Sequence, residues 1–270
     1  MLTFVGLGLY DEQSVTVAGR EAIAGADRVV AEFYTSKLAG TTVADLEACH
    51  DTAIEVRDRA GVEQTPGDVL DDAESDDVVF LTAGDTMVST THVDLRLRAH
   101  ERGIESRVVH GTTAQTAASS LTGLQNYRFG KATTLPFERS HGGDGLPGSV
   151  FETIAANRER GLHTLVFLDI DAANDDYMRA DTAARMLADA WDETGSEEEA
   201  TAGADRLGVV VARAGSPEPV VRADRLGTLA GESFGDPLHL LVVPGELHLL
   251  EREALAELGD APEEVLPPAV

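Results

Sequence analysis

The sequence predicts an α/β protein of two α/β domains, the first with a mainly parallel sheet and the second with a mixed sheet. Three observations predict it. Over the first hundred or so residues, apolar runs of strand length alternate with segments of helical period. Two of those runs end in glycine turns, Gly6-Leu7-Gly8-Leu9 and Ala83-Gly84-Asp85. Past residues 110–130 the rhythm changes, and helices no longer separate every pair of strands.

The elements follow in order. Strands are expected at Leu2–Gly8, Arg28–Phe33, Ala53–Arg57, Val78–Gly84 and Ser106–Gly111, with helices over 14–25, 43–50, 67–75 and 90–102. Gly103 is placed to end the last of these helices. Parallel strands joined by right-handed helical crossovers bring every strand-to-helix loop to one sheet edge, where ligands bind. Both glycine turns therefore belong to that edge. In the second part, strands are expected at Ala132–Phe137, His163–Ile170, Gly208–Arg213 and Leu238–Pro244, with a weaker one near Val220–Ala223. Helices are expected over 149–160, 178–193 and 247–258. Arg139–Gly148 and the acidic Gly195–Gly203 read as loops, and the acidic tail after Leu258 as a frayed end. The domains are expected at 1–111 and 112–270, with the boundary somewhere in 110–130.

Composition excludes several classes. No run of apolar residues approaches the length of a membrane span. The opening MLTFVGLGLYDEQ lacks a basic region and enters patterned structure directly, so it is not read as a signal peptide. Cys49 is the only cysteine, which fits a reducing cytoplasm, and no Cys/His cluster has zinc spacing, so no metal is expected. The net charge is −27, and Lys37 and Lys131 are the only lysines. Acids spread evenly over the polar positions predict adaptation to concentrated salt, where charges are screened within a few ångströms. The competing reading is a surface for basic partners. Either way, non-specific grip on nucleic acid is disfavoured, because that needs clustered Lys and Arg.

The motifs narrow the chemistry. In the first turn, the third glycine of a dinucleotide fingerprint would fall at Asp11, whose charge would oppose a pyrophosphate, so a nicotinamide or flavin is not expected. Asp85 can grip the hydroxyl or amino groups of a small ligand; its plainer reading, shared with Thr86, is a helix N-cap. His92 and Arg96 read as a surface pair on one helical face. Thr112-Thr113-Ala114 leave space and backbone N–H groups at a helix start. His239 and His163 each stand before a buried strand and read as hydrogen-bonded structural residues. GxSxG, HExxH and GxxxxGK[ST] motifs are absent, which turns attention from triad hydrolysis, zinc peptidases and P-loop phosphoryl transfer.

Several segments together carry a resemblance. They are GLGLYDE (Gly6–Glu12), AEFYTSKLAGTT (Ala31–Thr42), LTAGDTMVSTTH (Leu81–His92), LTGLQNYRFGK (Leu121–Lys131), RGLHTLVFLDI (Arg160–Ile170), VARAGS (Val211–Ser216) and FGDPLHLLVVPGELH (Phe234–His248). Nearly end to end, the chain resembles the archaeal diphthine synthases of the tetrapyrrole-methylase-like superfamily. The resemblance implies S-adenosylmethionine as methyl donor, held in a cleft between the two domains and leaving as S-adenosylhomocysteine. It also implies a homodimer in the cytoplasm. Its substrate would be translation elongation factor 2, on which an aminocarboxypropyl-histidine would be methylated three times on nitrogen. Another methyltransferase activity of the superfamily, on a tetrapyrrole or ribosomal RNA, is the alternative.

Carried over residue by residue, the implied cofactor contacts are Leu9, Asp85, Val88, Thr113, Ala114, Leu168, Ala212 and His239. The prolines the family often carries on either side of Gly-Asp are replaced here by Ala83 and Thr86, and a more apolar run is replaced by Gly111–Gln115. Methyl transfer from a sulfonium to a neutral amine needs alignment and exclusion of water more than a covalent intermediate. The sequence singles out no general base. Tyr34 is a candidate for orienting substrate, or else an aromatic packed beneath the site.

Overall fold

A computed structural model describes residues 1–141, 145–172, 174–194 and 203–270. By contacts the chain divides into two units, Met1–Ala114 with Ile170–Asp175, and Gln115–Asp169 with Asp176–Val270. Most of the loop expected at Gly195–Gly203, and residues 142–144 of the loop expected at Arg139–Gly148, lie outside the described residues.

The first unit runs β1 (Leu2–Gly6), α1 (Val17–Ala24), β2 (Arg28–Glu32), α2 (Val43–His50), β3 (Glu55–Arg57), α3 (Gly67–Ala73), β4 (Val78–Thr82), α4 (Val93–Glu101) and β5 (Ser106–Val109). A π-helical turn, Ala60–Gln64, precedes α3. The five strands form one sheet in the order β3-β2-β4-β1-β5, and every pairing is parallel. The central strands β1 and β4 are buried on both faces and are apolar apart from the buried Thr3 and Thr82. Alternation then sorts their side chains. Leu2 and Phe4 pack with Phe80, Val69 and Leu95 on one face, while Val5 and Leu7 pack with Leu81, Ile23 and Leu46 on the other. Helix signals are local. Thr16 accepts the Gly19 N–H to cap α1, a Thr42/Asp45 capping box opens α2, and Gly103 leaves α4 with φ +74°.

The second unit runs α5 (Ala114–Thr122, starting at the boundary), β6 (Thr133–Leu135), α6 (Glu138–His141), α7 (Gly148–Arg158), β7 (Thr164–Leu168), a short β8 (Ile170–Asp171, which falls in the first unit) and β9 (Asp176–Tyr177). It continues with α8 (Ala180–Thr194), β10 (Leu207–Ala212), β11 (Val220–Arg225), α9 (Leu226–Leu229), β12 (His239–Val243) and α10 (Leu249–Leu258). Its main sheet has the order β11-β10-β12-β7-β6. It is mixed: β6 lies parallel to β7, and the other neighbours are antiparallel.

Three expectations need correction. The start of the loop expected at Arg139–Gly148 is the helical turn α6. The strand expected at Val220–Ala223 extends to Arg225, because Leu207 of β10 still pairs there. The tail after Leu258 is not frayed: Ala261 and Leu266 are buried, the Val270 N–H bonds the Leu247 carbonyl, and Arg252 holds both Glu263 and the Pro267 carbonyl. Of the two lysines, Lys37 pairs with Asp175 in the first unit, and Lys131 is exposed in the second.

Candidate functional site

In the first unit the loops after β4, β1 and β5 leave three neighbouring strands at their carboxyl ends. Glycines allow those loops to touch backbone to backbone. Gly8 and Gly84 exchange hydrogen bonds, N–H to carbonyl, at 3.1 and 2.7 Å. A side chain on Gly6 would meet the Gly84 carbonyl at 2.5 Å and the Gly111 nitrogen at 2.6 Å. One on Gly111 would strike the same Gly84 carbonyl and the backbone of Gly6. Gly84 itself, at φ +76°, faces open space on its Cβ side. The knot is therefore closed beneath and open above, which suits close approach by a ligand.

Asp85 ties this knot. Its buried carboxylate accepts the Met87 N–H at 2.9 Å on Oδ1. On Oδ2 it accepts the Gly111 N–H at 3.2 Å and the His110 Nδ1–H at 2.7 Å. A carboxylate has about four acceptor positions, so one on Oδ1 has no protein donor. The N-cap reading of Asp85 and Thr86 does not hold, because α4 starts only at Val93, after His92. Thr86 is fully buried, and its hydroxyl lacks a hydrogen-bond partner.

The structure brings the five candidates of this unit to one sheet edge. Leu9 is half-buried in the first turn, and its carbonyl accepts from the Ser14 hydroxyl. Val88 is partly exposed just beyond Asp85, while Thr113 and Ala114 stand half-buried where α5 begins. The other three candidates gather within the second unit. Ala212 ends β10 and faces His239, the first residue of β12, and Leu168 ends β7, one residue past the Phe167 that pairs with Leu240. All three are buried. The His239 ring accepts the Ala180 N–H at 3.1 Å on Nδ1 and donates from Nε2 to the Asp236 carbonyl at 3.0 Å. Both nitrogens are thus engaged, and burial lowers its pKa from 6.5.

His163 is structural in the same way. It accepts the Gly245 N–H on Nδ1 and donates from Nε2 to Glu251, and burial lowers its pKa. Burial pushes the Glu251 carboxyl up, but the His248 and Gln125 N–H groups and His163 outweigh it and leave the pKa below the ordinary 4.5. Among the described residues no three His, Cys, Asp or Glu side chains gather as a metal centre requires.

Two features escaped sequence reasoning. The first is Glu32, buried at the end of β2. Its carboxylate accepts the N–H groups of Tyr34 and Thr35, the Thr35 hydroxyl, and His92 Nε2 at 2.9 Å. His92 is therefore no surface residue. It is 1% exposed, edge-on to Phe80 and Tyr34, whereas Arg96 is exposed and reaches Ser106. The carboxylate lies far away in sequence, so helical spacing alone suggested a surface pair. Tyr34 packs against the core on the Phe80 face, with the Arg59 guanidinium 4.9 Å over its ring. Burial, then Glu32 and Glu63, pushes its hydroxyl pKa up. The second is His110, which the sequence shows only as the last residue before Gly111. The available signal was a histidine preceding a glycine at a strand top, beside the small residues Thr112–Ala114.

Similarity to known proteins matches this frame. The family model for tetrapyrrole (corrin/porphyrin) methylases matches residues 1–230. The chain is 63% identical to a protein named diphthine synthase from Natronomonas pharaonis, covering all of both chains. It is 67% identical to one of the same name from Halobacterium salinarum, covering 98% of this chain and 100% of that one. A crystal structure of diphthine synthase superposes with a TM-score of 0.87 at 38% identity, over 98% of each chain. The two sheets, the glycine-knotted loops and these full-length identities all agree, and the chain belongs to the diphthine synthases, within the tetrapyrrole methylases.

Proposed function

We propose that this methyltransferase takes its methyl group from S-adenosylmethionine. On this reading it transfers three methyl groups to the amino nitrogen of an aminocarboxypropyl-histidine on translation elongation factor 2. The observation that carries the reading is full-length identity of 63–67% with proteins named diphthine synthase. The loop geometry supports it. The open face of Gly84, the spare acceptor position of Asp85 and the small residues Thr113 and Ala114 suit an adenosyl ligand with hydroxyl and amino donors. When bound, that ligand supplies an electrophilic methyl group on a sulfonium. The chain then has to hold the donor, hold the amine in line and keep water away.

Asp85 would accept from the ligand on Oδ1 while its other contacts keep the loops closed beneath. Leu9 and Val88 would supply apolar cover. Leu168, Ala212 and His239 are carried by the family resemblance. Because the His239 ring is already satisfied on both nitrogens, its contact would be made by backbone or ring face. The resemblance also implies a cytoplasmic homodimer. Among the described residues, no helix is long and apolar enough to cross a membrane.

The test uses elongation factor 2 prepared with and without the aminocarboxypropyl group. Mass spectrometry is expected to show up to three added methyl groups on the modified factor alone. A quaternary nitrogen then has no lone pair left to attack. Transfer to a tetrapyrrole or to ribosomal RNA in the same assay, with the modified factor inert, would overturn the reading in favour of another superfamily activity.

A further inference from the structure

Among the described residues three histidines pair with carboxylates: His92 with Glu32, His163 with Glu251 and His110 with Asp85. The first two pairs are sealed within the core. The third is built differently: the Asp85 side chain is 3% exposed and the His110 side chain 77% exposed, with 2.7 Å between Oδ2 and Nδ1. The other groups against that carboxylate, the N–H groups of Met87 and Gly111, are donors, so it acts as an acceptor. His110 Nδ1 must then carry the hydrogen. In the neutral ring this leaves the lone pair on Nε2, directed away from the buried partner. A buried aspartate that fixes the tautomer of an exposed imidazole is how a histidine is set up as a proton acceptor.

His110 also stands in the right place. It lies between β5 and Gly111, at the knot that joins the Leu9, Asp85 and Thr113 loops. We propose that His110, oriented by Asp85, is the catalytic base that receives the proton of the substrate ammonium before each methyl transfer. This rests on the reading of the chain as an N-methyltransferase.

The step balances as follows. The substrate N–H bond breaks and the proton goes to His110 Nε2, giving a neutral amine and an imidazolium held against the Asp85 carboxylate. The amine lone pair forms the C–N bond as the C–S bond breaks, and that electron pair stays on sulfur as a thioether. The imidazolium returns its proton to water. The new methylammonium still bears an N–H, so the cycle repeats until the quaternary product leaves His110 nothing to accept.

The experiment compares the intact chain with His110→Ala and His110→Gln on modified elongation factor 2. Loss of a general base costs about 10²–10⁴ in rate, so kcat at pH 7 is expected to fall at least about 100-fold in His110→Ala. KM for the factor, and the calorimetric affinity for S-adenosylmethionine, are expected to change less than about threefold. Free imidazole is expected to restore the His110→Ala rate in a concentration-dependent way, which a packing defect would not allow. As pH rises and more of the substrate amine is already neutral in solution, the gap between variant and wild type is expected to narrow.

A readout independent of turnover is nitrogen NMR of the resting chain, expected to show His110 with hydrogen on Nδ1 and to lose that preference in Asp85→Ala. If wild type is active and His110→Ala matches it at pH 7, the proposal is wrong. It is also wrong if imidazole does not rescue, or if NMR places the hydrogen on Nε2. If wild type itself is inactive on the modified factor, the functional reading fails instead.

Discussion

At the residue scale, Asp85 shows how one side chain serves two ends. Its three protein hydrogen bonds close the loops beneath the site, and on the proposed reading its remaining acceptor position serves the methyl donor. Asp85→Ala is expected to weaken S-adenosylmethionine binding by about 1–3 kcal/mol, the cost of removing a buried acceptor from its donors. Hydrogen exchange at the Gly111 amide should quicken in the same variant. Calorimetry with unchanged affinity would remove Asp85 from the site. The buried histidines give a second expectation at this scale. His163 and His239 have pKa values lowered by burial, so the unfolded chain takes up their protons near pH 6.5 while the fold still excludes them. Their contribution to stability is present above that pH and is lost as pH falls through the folded values. Glu251, also lowered, acts in the same sense at more acid pH. NMR titration should find both imidazoles titrating below 6.5, and the denaturation midpoint in concentrated salt should fall between pH 7 and 5. An imidazole titrating above 6.5 would refute this.

At the element scale the glycine knot sets the tolerance of the loops. A methyl group on Gly111 meets the Gly84 carbonyl and Gly6, and both obstacles are backbone that cannot swing aside. Gly111→Ala is expected to cost about 3 kcal/mol, the upper part of the overpacking range. Gly67→Ala, where the added methyl meets nothing within 4 Å, should stay within about 0.5 kcal/mol of wild type or gain slightly. Equal denaturant midpoints for the two would contradict the packing argument. The same scale shows what was legible beforehand. The buried parallel strands were, because Val78–Leu81 is an unbroken apolar run, Leu2–Val5 is apolar but for Thr3, and a glycine turn follows each. The helix end at Gly103 was written in a local residue type, whereas the caps at Thr16 and Thr42 emerged only with the structure. The α6 turn and the docked tail were not legible, because distant partners hold them: Asp169 accepts the Ser140 hydroxyl, and Arg252 grips Glu263. The burial of His92 was hidden for the same reason, its partner being Glu32 at the end of β2. Of the site itself, the two glycine turns and Asp85 stood out in the sequence, whereas His110 gained meaning only once β5 lay beside β1.

At the scale of the whole molecule, the charge of −27 works against the fold wherever salt is dilute. Some carboxylates are spoken for. Arg28 and Arg57 converge on Asp68, and Arg57 first, then Arg28, hold its pKa down at about 2 against the opposing effect of burial. Most of the remaining excess is surface repulsion, which shortens in range from roughly 10 Å at 0.1 M salt to roughly 3 Å at 1 M. The thermal midpoint is expected to climb steeply between those concentrations of KCl, and a flat response would mean that the acids serve another purpose. The scarcity of lysine has a practical sequel. Each unit holds one ε-amine, Lys37 against Asp175 and Lys131 in the open, and the terminal amine is tied to the Ala73 and Asp76 carbonyls. Replacing either lysine with arginine leaves the other as the single side-chain target for an amine-reactive fluorophore. The protein can thus be labelled one unit at a time without introducing any foreign cysteine, and the arrival of the protein substrate proposed above can be sought from whichever unit is chosen.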